Sequence, residues 1–156
     1  MKLIYNIILG LILMLGSIMA ASAKEVNVGW KQSGITSYYH RSLNGNKTAS
    51  GERYRHLGAM TAAHRTLPFG TKIKVTDKET GKYVIVKVND RGPFVGARVL
   101  DLSGKAAKEL GIVQKGLCDV DIKVLSIPTR KEQKRKMFND SRIDSIGDLI
   151  ANNFKR

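Results

Sequence analysis

Tyr83-Val84-Ile85-Val86-Lys87-Val88-Asn89-Asp90-Arg91-Gly92-Pro93-Phe94 is the stretch on which the fold turns. Its first six residues are almost all β-branched or aromatic, and they are apolar on nearly both faces, as in a strand enclosed by a closed sheet. The strand pattern stops at Asn89-Asp90, where Gly92-Pro93 makes a turn. An apolar strand that ends in this way presents its last carboxylate at the mouth of a β structure. Outward from it, short β-type runs recur between turn residues: Ile35 to Tyr39, Thr71 to Thr76, Arg98 to Leu100 and Val120 to Ile127. Several short strands of this kind predict a mainly β sandwich or barrel. Asp77-Lys78-Glu79-Thr80-Gly81 reads as a hairpin loop, with Gly81 supplying a positive φ. One helix of about two turns is expected over Gly104 to Leu110, capped by Ser103 and ended by a left-handed Gly111.

The flanks differ from this centre. Residues 1–23 carry one charge, Lys2, then an apolar run from Leu3 to Leu15 and Ala21-Ser22-Ala23, the pattern of a cleavable secretory signal. The apolar run is too short for the roughly 20 residues of a membrane-spanning helix, so no transmembrane anchor is expected after cleavage. Residues 18–24 contain no cysteine, and no lipid anchor is expected either. Cys118 is the single cysteine, so no intramolecular disulfide can form, and the thiol reads as a small buried side chain. Residues 24–33 read as a lead-in segment and 34–128 as one domain. Residues 129–156 read as a basic linker followed by an amphipathic helix bearing Ile143, Ile146, Leu149, Ile150 and Phe154.

The formal net charge is +14. Eight Lys or Arg against four Asp or Glu in residues 129–156 leave most of that excess on the central domain. A polyanionic partner is implied: nucleic acid, anionic lipid or the acidic cell-wall polymer. Export favours the cell wall and argues against nucleic acid. Three histidines and one cysteine at scattered positions build no four-ligand metal site, and no cofactor is expected.

Three blocks combine turn glycines with polar groups: Asn44-Gly45-Asn46-Lys47-Thr48-Ala49-Ser50-Gly51-Glu52-Arg53-Tyr54, Thr61-Ala62-Ala63-His64-Arg65-Thr66-Leu67-Pro68-Phe69-Gly70-Thr71, and Val88 to Phe94 running on to Asp101-Leu102-Ser103. Lys47, Arg53, Arg55, Arg65 and Arg91 cluster in them and would attract carboxylates. Tyr38 and Tyr39 alternate across a strand, so one is available for a sugar ring while the other fills the core.

From Gly34 to Ile127 these blocks resemble the RlpA-like family (rare lipoprotein A), endolytic peptidoglycan lytic transglycosylases. That resemblance implies a six-stranded double-psi β-barrel with one or two short helices, related to expansin and barwin-like domains and followed here by the C-terminal amphipathic helix. It implies cleavage of the β-1,4 bond between N-acetylmuramic acid and N-acetylglucosamine, with 1,6-anhydromuramic acid formed, by a periplasmic protein that is expected to be a monomer. The alternative is a non-catalytic, expansin-like peptidoglycan-binding module. By the same resemblance Asp90 is the first choice for acid and base, and Glu52 the second. His64 orients a carboxylate or a sugar hydroxyl. Thr48, Arg65, Arg91, Asp101 and Tyr38 are substrate-binding candidates, although Asp101 equally suits a charge at the helix N-terminus. Arg55 departs from the family, which has an acidic residue there, and a cation at that place lowers a neighbouring carboxyl's pKa.

Overall fold

The computed structural model describes residues 26–135, 138, 139 and 142. Within them six strands run in the order β1 (Lys31–Tyr38), β2 (Thr61–His64), β3 (Lys72–Asp77), β4 (Tyr83–Asp90), β5 (Arg98–Leu102) and β6 (Cys118–Ser126). A 3-10 turn at Arg41–Leu43 follows β1, and helix α1 (Gly104–Leu110) lies between β5 and β6. The sheet closes as β1-β5-β2-β4-β3-β6. Two of its pairings are parallel, β1 with β5 and β2 with β4, and each carries one register shift, at Ile35/Thr36 and at Ala62/Ala63. Exchanging β1 with β4, β2 with β5 and β3 with β6 leaves every pairing in place, so the barrel is two interlocked halves of three strands each.

Alternation explains the strands. β3 and β6 place every second side chain inside, and Ile73, Val75, Val120, Ile122 and Val124 are almost wholly buried. With Leu67, Leu100, Leu102 and Ala106, Ala107 and Leu110 of the helix they form one core. Each large side chain in it contributes about 1.5–3 kcal/mol relative to exposure. β4 differs from its expected pattern: Val84, Val86 and Val88 are buried, but Tyr83 is 56% and Ile85 47% exposed. The barrel is closed by hydrogen bonds, and among the described residues this side of its outer surface carries no further layer, only Lys74 lying over the Tyr83 ring. A second correction concerns the lead-in. β1 begins at Lys31, and Val26 and Trp30 already pack on the core, so the expected boundary at Gly34 falls inside a strand. Gly34 is there because a Cβ would lie 2.6 Å from Val99.

The local signals behave as their chemistry demands. Asp77, buried, accepts the amides of Glu79 and Thr80 and the Thr80 hydroxyl, and Gly81 turns at φ +71° between β3 and β4. Burial opposes the Asp77 charge, yet these donors and the Cys118 thiol outweigh it and hold the carboxyl below its ordinary value. Cys118 is pushed up to about 11, first by burial and then by Asp77, which leaves an unreactive thiol. Ser103 caps α1 by accepting the Ala106 amide, and Gly111 closes it at φ +88°. Residues 130–135 are helical, entered through a capping box in which Glu132 accepts the Thr129 amide and hydroxyl. The expected amphipathic positions from Ile143 to Phe154 and the signal segment lie outside the described residues.

Gly104 opens α1 directly beneath His56, and a Cβ there would lie 2.3 Å from the imidazole. Gly104→Ala is therefore expected to destabilise the domain by about 1–3 kcal/mol in urea unfolding. Adding His56→Ala should recover most of the loss, and a double variant no more stable than the single one would place the cause elsewhere.

Candidate functional site

The site begins with a loop whose shape is set by its own hydrogen bonds. Between Asn44 and Tyr54 the chain doubles back: Gly45 N–H donates to Tyr54 O, Tyr54 N–H to Asn46 O, and Lys47 bridges Arg53. At its tip Thr48 donates both its amide and its hydroxyl to Glu52 O, and Gly51 takes φ +86°. Thr48 is thus 8% exposed and builds the turn that presents Glu52.

That tip is fastened to the end of β4. Lys87 Nζ donates to Glu52 Oε1 and Asn89 Nδ2 to Glu52 Oε2, both at 2.8 Å. Ser50 N–H donates to Asn89 O at 3.2 Å, and Ala49 N–H to Asp90 Oδ1 at 2.8 Å. Glu52 and Asp90 therefore meet at one seam between loop and strand. Asp90 Oδ1 also accepts the Arg91 amide at 2.8 Å, while Oδ2 accepts the Tyr39 hydroxyl at 2.6 Å. Burial first, then this hydrogen bond, holds the Tyr39 phenol far above its ordinary range.

Strand register supplies the floor. Ser37 pairs with Asp101, Asp101 with Ala63, and Ala63 with Asp90, so four residues lie side by side on β1, β5, β2 and β4. Ala62 belongs to the core, whereas Ala63 is buried outside it, which puts this row on the outer face. Asp101 accepts the Ser37 hydroxyl and lies 3.6 Å from Arg98, which itself donates to Ser37 at 2.6 Å. Asp101 also acts electrostatically on Tyr39, so it borders the same site.

Other expected residues lie differently. His64 is 3% exposed. Its Nδ1 accepts the Thr66 and Leu67 amides and its Nε2 donates to Gln32 Oε1 at 2.9 Å. Both ring nitrogens are engaged within the fold, and neither reaches Glu52 or Asp90. The ring, expected to orient a carboxylate or a sugar hydroxyl, is buried beside Trp30 and secures the turn after β2. Burial, then Arg91 and Arg65, pushes it down to about 4, so it is neutral at pH 7. Arg91 donates to His64 O and Leu67 O and stacks 3.8 Å over Phe69. Arg65 donates to Pro93 O, Gly96 O and Arg98 O. Backbone carbonyls, rather than an open groove, occupy these two guanidinium groups. Tyr38 packs on the core and donates to Val113 O. Of the alternating pair it is Tyr39 that joins the site. Arg55 is exposed, and Lys87 supplies a cation paired with Glu52. Asn89 stands within the third block but without a signal for its role, and Lys87 and Tyr39 have none beyond their place beside that block and Tyr38.

The pattern of the lytic transglycolases, built on the double-psi β-barrel, matches residues 31–122, more than half of the chain. This chain belongs to that family. Among relatives, the probable endolytic peptidoglycan transglycosylase RlpA of Synechocystis sp. is 49% identical over 106 residues, 68% of this chain and 31% of that protein. The endolytic peptidoglycan transglycosylase RlpA of Vibrio cholerae is 44% identical over 110 residues, 69% and 41% of the two chains. That of Campylobacter jejuni is 38% identical over 128 residues, 82% and 46%. The chain spans less than half the length of these curated relatives. Two solved structures share the fold: the Streptomyces papain inhibitor (TM-score 0.54, 21% identity, 65% of this chain and 100% of that one) and the Clavibacter michiganensis expansin (0.50, 22%, 64% and 52%). In the lytic transglycolase barrel of this chain, then, the motif residues Glu52 and Asp90 share one seam, and His64 lies beneath the surface.

The buried imidazole has a consequence for stability. His64 takes its proton near 6.5 in the unfolded chain and near 4 in the folded one. Stability is complete above pH 6.5 and declines as pH falls towards 4, on the order of 3 kcal/mol at full effect. Thermal unfolding should show this decline already between pH 6.5 and 4.5, before most carboxylates titrate. His64→Gln should lower Tm at pH 7 and flatten the decline, and an equal slope in both proteins would count against the assignment.

Proposed function

We propose that this barrel cleaves the β-1,4 bond between N-acetylmuramic acid and N-acetylglucosamine of peptidoglycan as a lytic transglycosylase, with Asp90 acting as acid and base in turn. One observation carries the reading, the unequal surroundings of the two carboxylates. Glu52 has both oxygens held by side-chain nitrogens, one of them cationic. Asp90 Oδ2 faces a hydroxyl alone among the described residues.

A hydrolase with two working carboxyls needs both to engage the sugar or a water. A transglycosylase needs one that changes role. Asp90 gives its proton to the glycosidic oxygen as the C1–O bond breaks with its electron pair going to the leaving oxygen. The resulting carboxylate takes the proton of the muramoyl 6-hydroxyl while that oxygen bonds to C1, closing the 1,6-anhydro ring. No water is consumed, and Asp90 ends protonated as it began.

Glu52 has the part of a positioning group, locking the tip of its loop against β4 through Lys87 and Asn89. His64 and Arg91 hold the turn at 64–69 that borders the site, and Thr48 shapes the tip. Asp101, with Ser37 and Arg98, forms the far side of the sugar-binding row. Lys47, Arg53 and Arg55, exposed on the loop, supply positive charge for lactyl and stem-peptide carboxylates. The names of the relatives support the substrate class, and with it a place in the periplasm against the cell wall.

Purified protein incubated with sacculi is expected to release fragments with 1,6-anhydromuramic ends, read by mass spectrometry. Asp90→Asn should reduce the rate at least about 100-fold, as loss of a general acid–base does. Glu52→Gln should cost less, on the order of tenfold, because it weakens one ion pair and keeps the loop. If the wild type yields no anhydro ends while a control enzyme does, and sacculus pull-down survives Asp90→Asn with Glu52→Gln, the module binds glycan without cutting it.

A further inference from the structure

Three donors meet Asp90, and they are not equivalent. Oδ1 accepts two backbone amides, from Ala49 and Arg91. An amide N–H can only donate, so it supports the carboxylate and nothing else. Oδ2 accepts the Tyr39 hydroxyl, and a hydroxyl both donates and accepts. A proton placed on Oδ1 would face two N–H groups, whereas a proton on Oδ2 faces an oxygen with lone pairs.

From this we propose that Tyr39 is the positioning residue that lets Asp90 alternate between acid and base, and that it assigns Oδ2 as the oxygen through which the proton passes. The inference rests on the reaction proposed above and adds a residue and an atom to it. With Asp90 ionised, Tyr39 donates to Oδ2. With Asp90 protonated on Oδ2, the phenol turns its own hydrogen away and offers a lone pair, so the acid keeps a partner until the glycosidic oxygen takes the proton. Tyr39 neither gains nor loses a proton in the cycle. Its hydrogen only rotates about the C–O bond.

The phenol needs a fixed ring for this, and the fold provides one. Tyr39 follows directly on β1, with its amide donating to Leu102 O at 2.9 Å. Its ring packs on that of Tyr54 with centroids 4.9 Å apart. Tyr54 is 4% exposed; its hydroxyl lies 2.8 Å from His56 Nδ1 and accepts the Gly104 amide at 3.3 Å. The start of α1 thus braces one ring, and that ring braces the other. Holding the phenol well above its ordinary range, as burial and Asp90 do, keeps it protonated at any pH at which the enzyme works.

The test is Tyr39→Phe, which keeps the ring and removes the oxygen. On sacculi, kcat should fall about 10- to 100-fold, the loss of one hydrogen bond to a charged group, with KM within about twofold. The alkaline limb of the pH–rate profile, where the protonated acid is lost, should move to higher pH, because the ionised carboxylate has lost a donor. In an Asp90→Asn background the same substitution should cost almost nothing more, since the two act as a unit. Tyrosinate absorbance supplies a readout free of activity. Tyr39→Phe should remove no signal below about pH 11, whereas an ordinary phenol would titrate near 10.

A variant with unchanged kcat and unchanged profile overturns the role of Tyr39 and leaves the reaction standing. A lost absorbance step near pH 10 overturns the hydrogen-bonded phenol itself. A wild type that makes no anhydro ends overturns the reaction and this role together, and the absorbance then reports separately whether the phenol is locked. Tyr54→Phe, which keeps the supporting ring, should leave the pH profile in place, so an equal shift in both variants would mean general loosening rather than a specific partner.

Discussion

The seam between the Thr48–Glu52 turn and the end of β4 holds the site together. Four hydrogen bonds cross it within four residues of strand, from Lys87 and Asn89 to Glu52, from Ser50 to Asn89, and from Ala49 to Asp90. Each end of the seam supplies one carboxylate, and each carboxylate binds the other's segment. A loop of eleven residues with no regular structure beyond one bridge would otherwise sample many arrangements. Fixing it against a strand whose other face is Val84, Val86 and Val88 transfers the rigidity of the core to the outer surface. The positions of Glu52 and Asp90 are therefore as well determined as the barrel.

The barrel itself has near two-fold pairing, but the site does not. Under the exchange that maps β1 onto β4, the chain after Tyr38 corresponds to the chain after Asp90. After β1 it continues as Tyr39, then the 3-10 turn and the long loop. After β4 it makes the short Arg91-to-Gly96 turn. The two ends meet through the hydrogen bond from Tyr39 to Asp90. A hydrogen-bonded pair arises here because the two corresponding strand ends carry different residues, a phenol just past one and a carboxylate on the other.

How much of this is legible in sequence depends on whether the signal is local. Turn and cap residues declare themselves: Gly81 and Gly111 act through their own backbone and Ser103 through a hydroxyl that reaches an amide three residues on, and each is found in its expected role. Asp90 is legible for the same reason, as the last residue of an apolar strand before Gly92-Pro93. The tyrosines are half legible. Alternation states that Tyr38 and Tyr39 point oppositely, but not which side is the core, since that depends on β5 and β6 pairing on either side of β1. The motif alone does not choose a role for His64 and the two arginines, because their residue types fit substrate binding as well as turn-holding. Burial and the choice of backbone carbonyls decide between those uses, and both are properties of the closed barrel rather than of the motif. The β4 pattern misleads for a simpler reason: Tyr83 and Ile85 are apolar residues left on the wet face, which composition cannot distinguish from a covered one.

The cations divide along the same line. Arg91, Arg65 and Arg98 are spent on carbonyls and on Asp101, so they stiffen the turns around the site, and a guanidinium with its planar set of donors suits that use. Lys87 neutralises Glu52. On the loop side Lys47, Arg53 and Arg55 are exposed, Arg53 with one guanidinium nitrogen donating to Gly45 O. Arg55, the departure from the family pattern, is exposed, while the charge beside Glu52 comes from Lys87 on β4. The seam that holds Asp90 is complete with an arginine at this position.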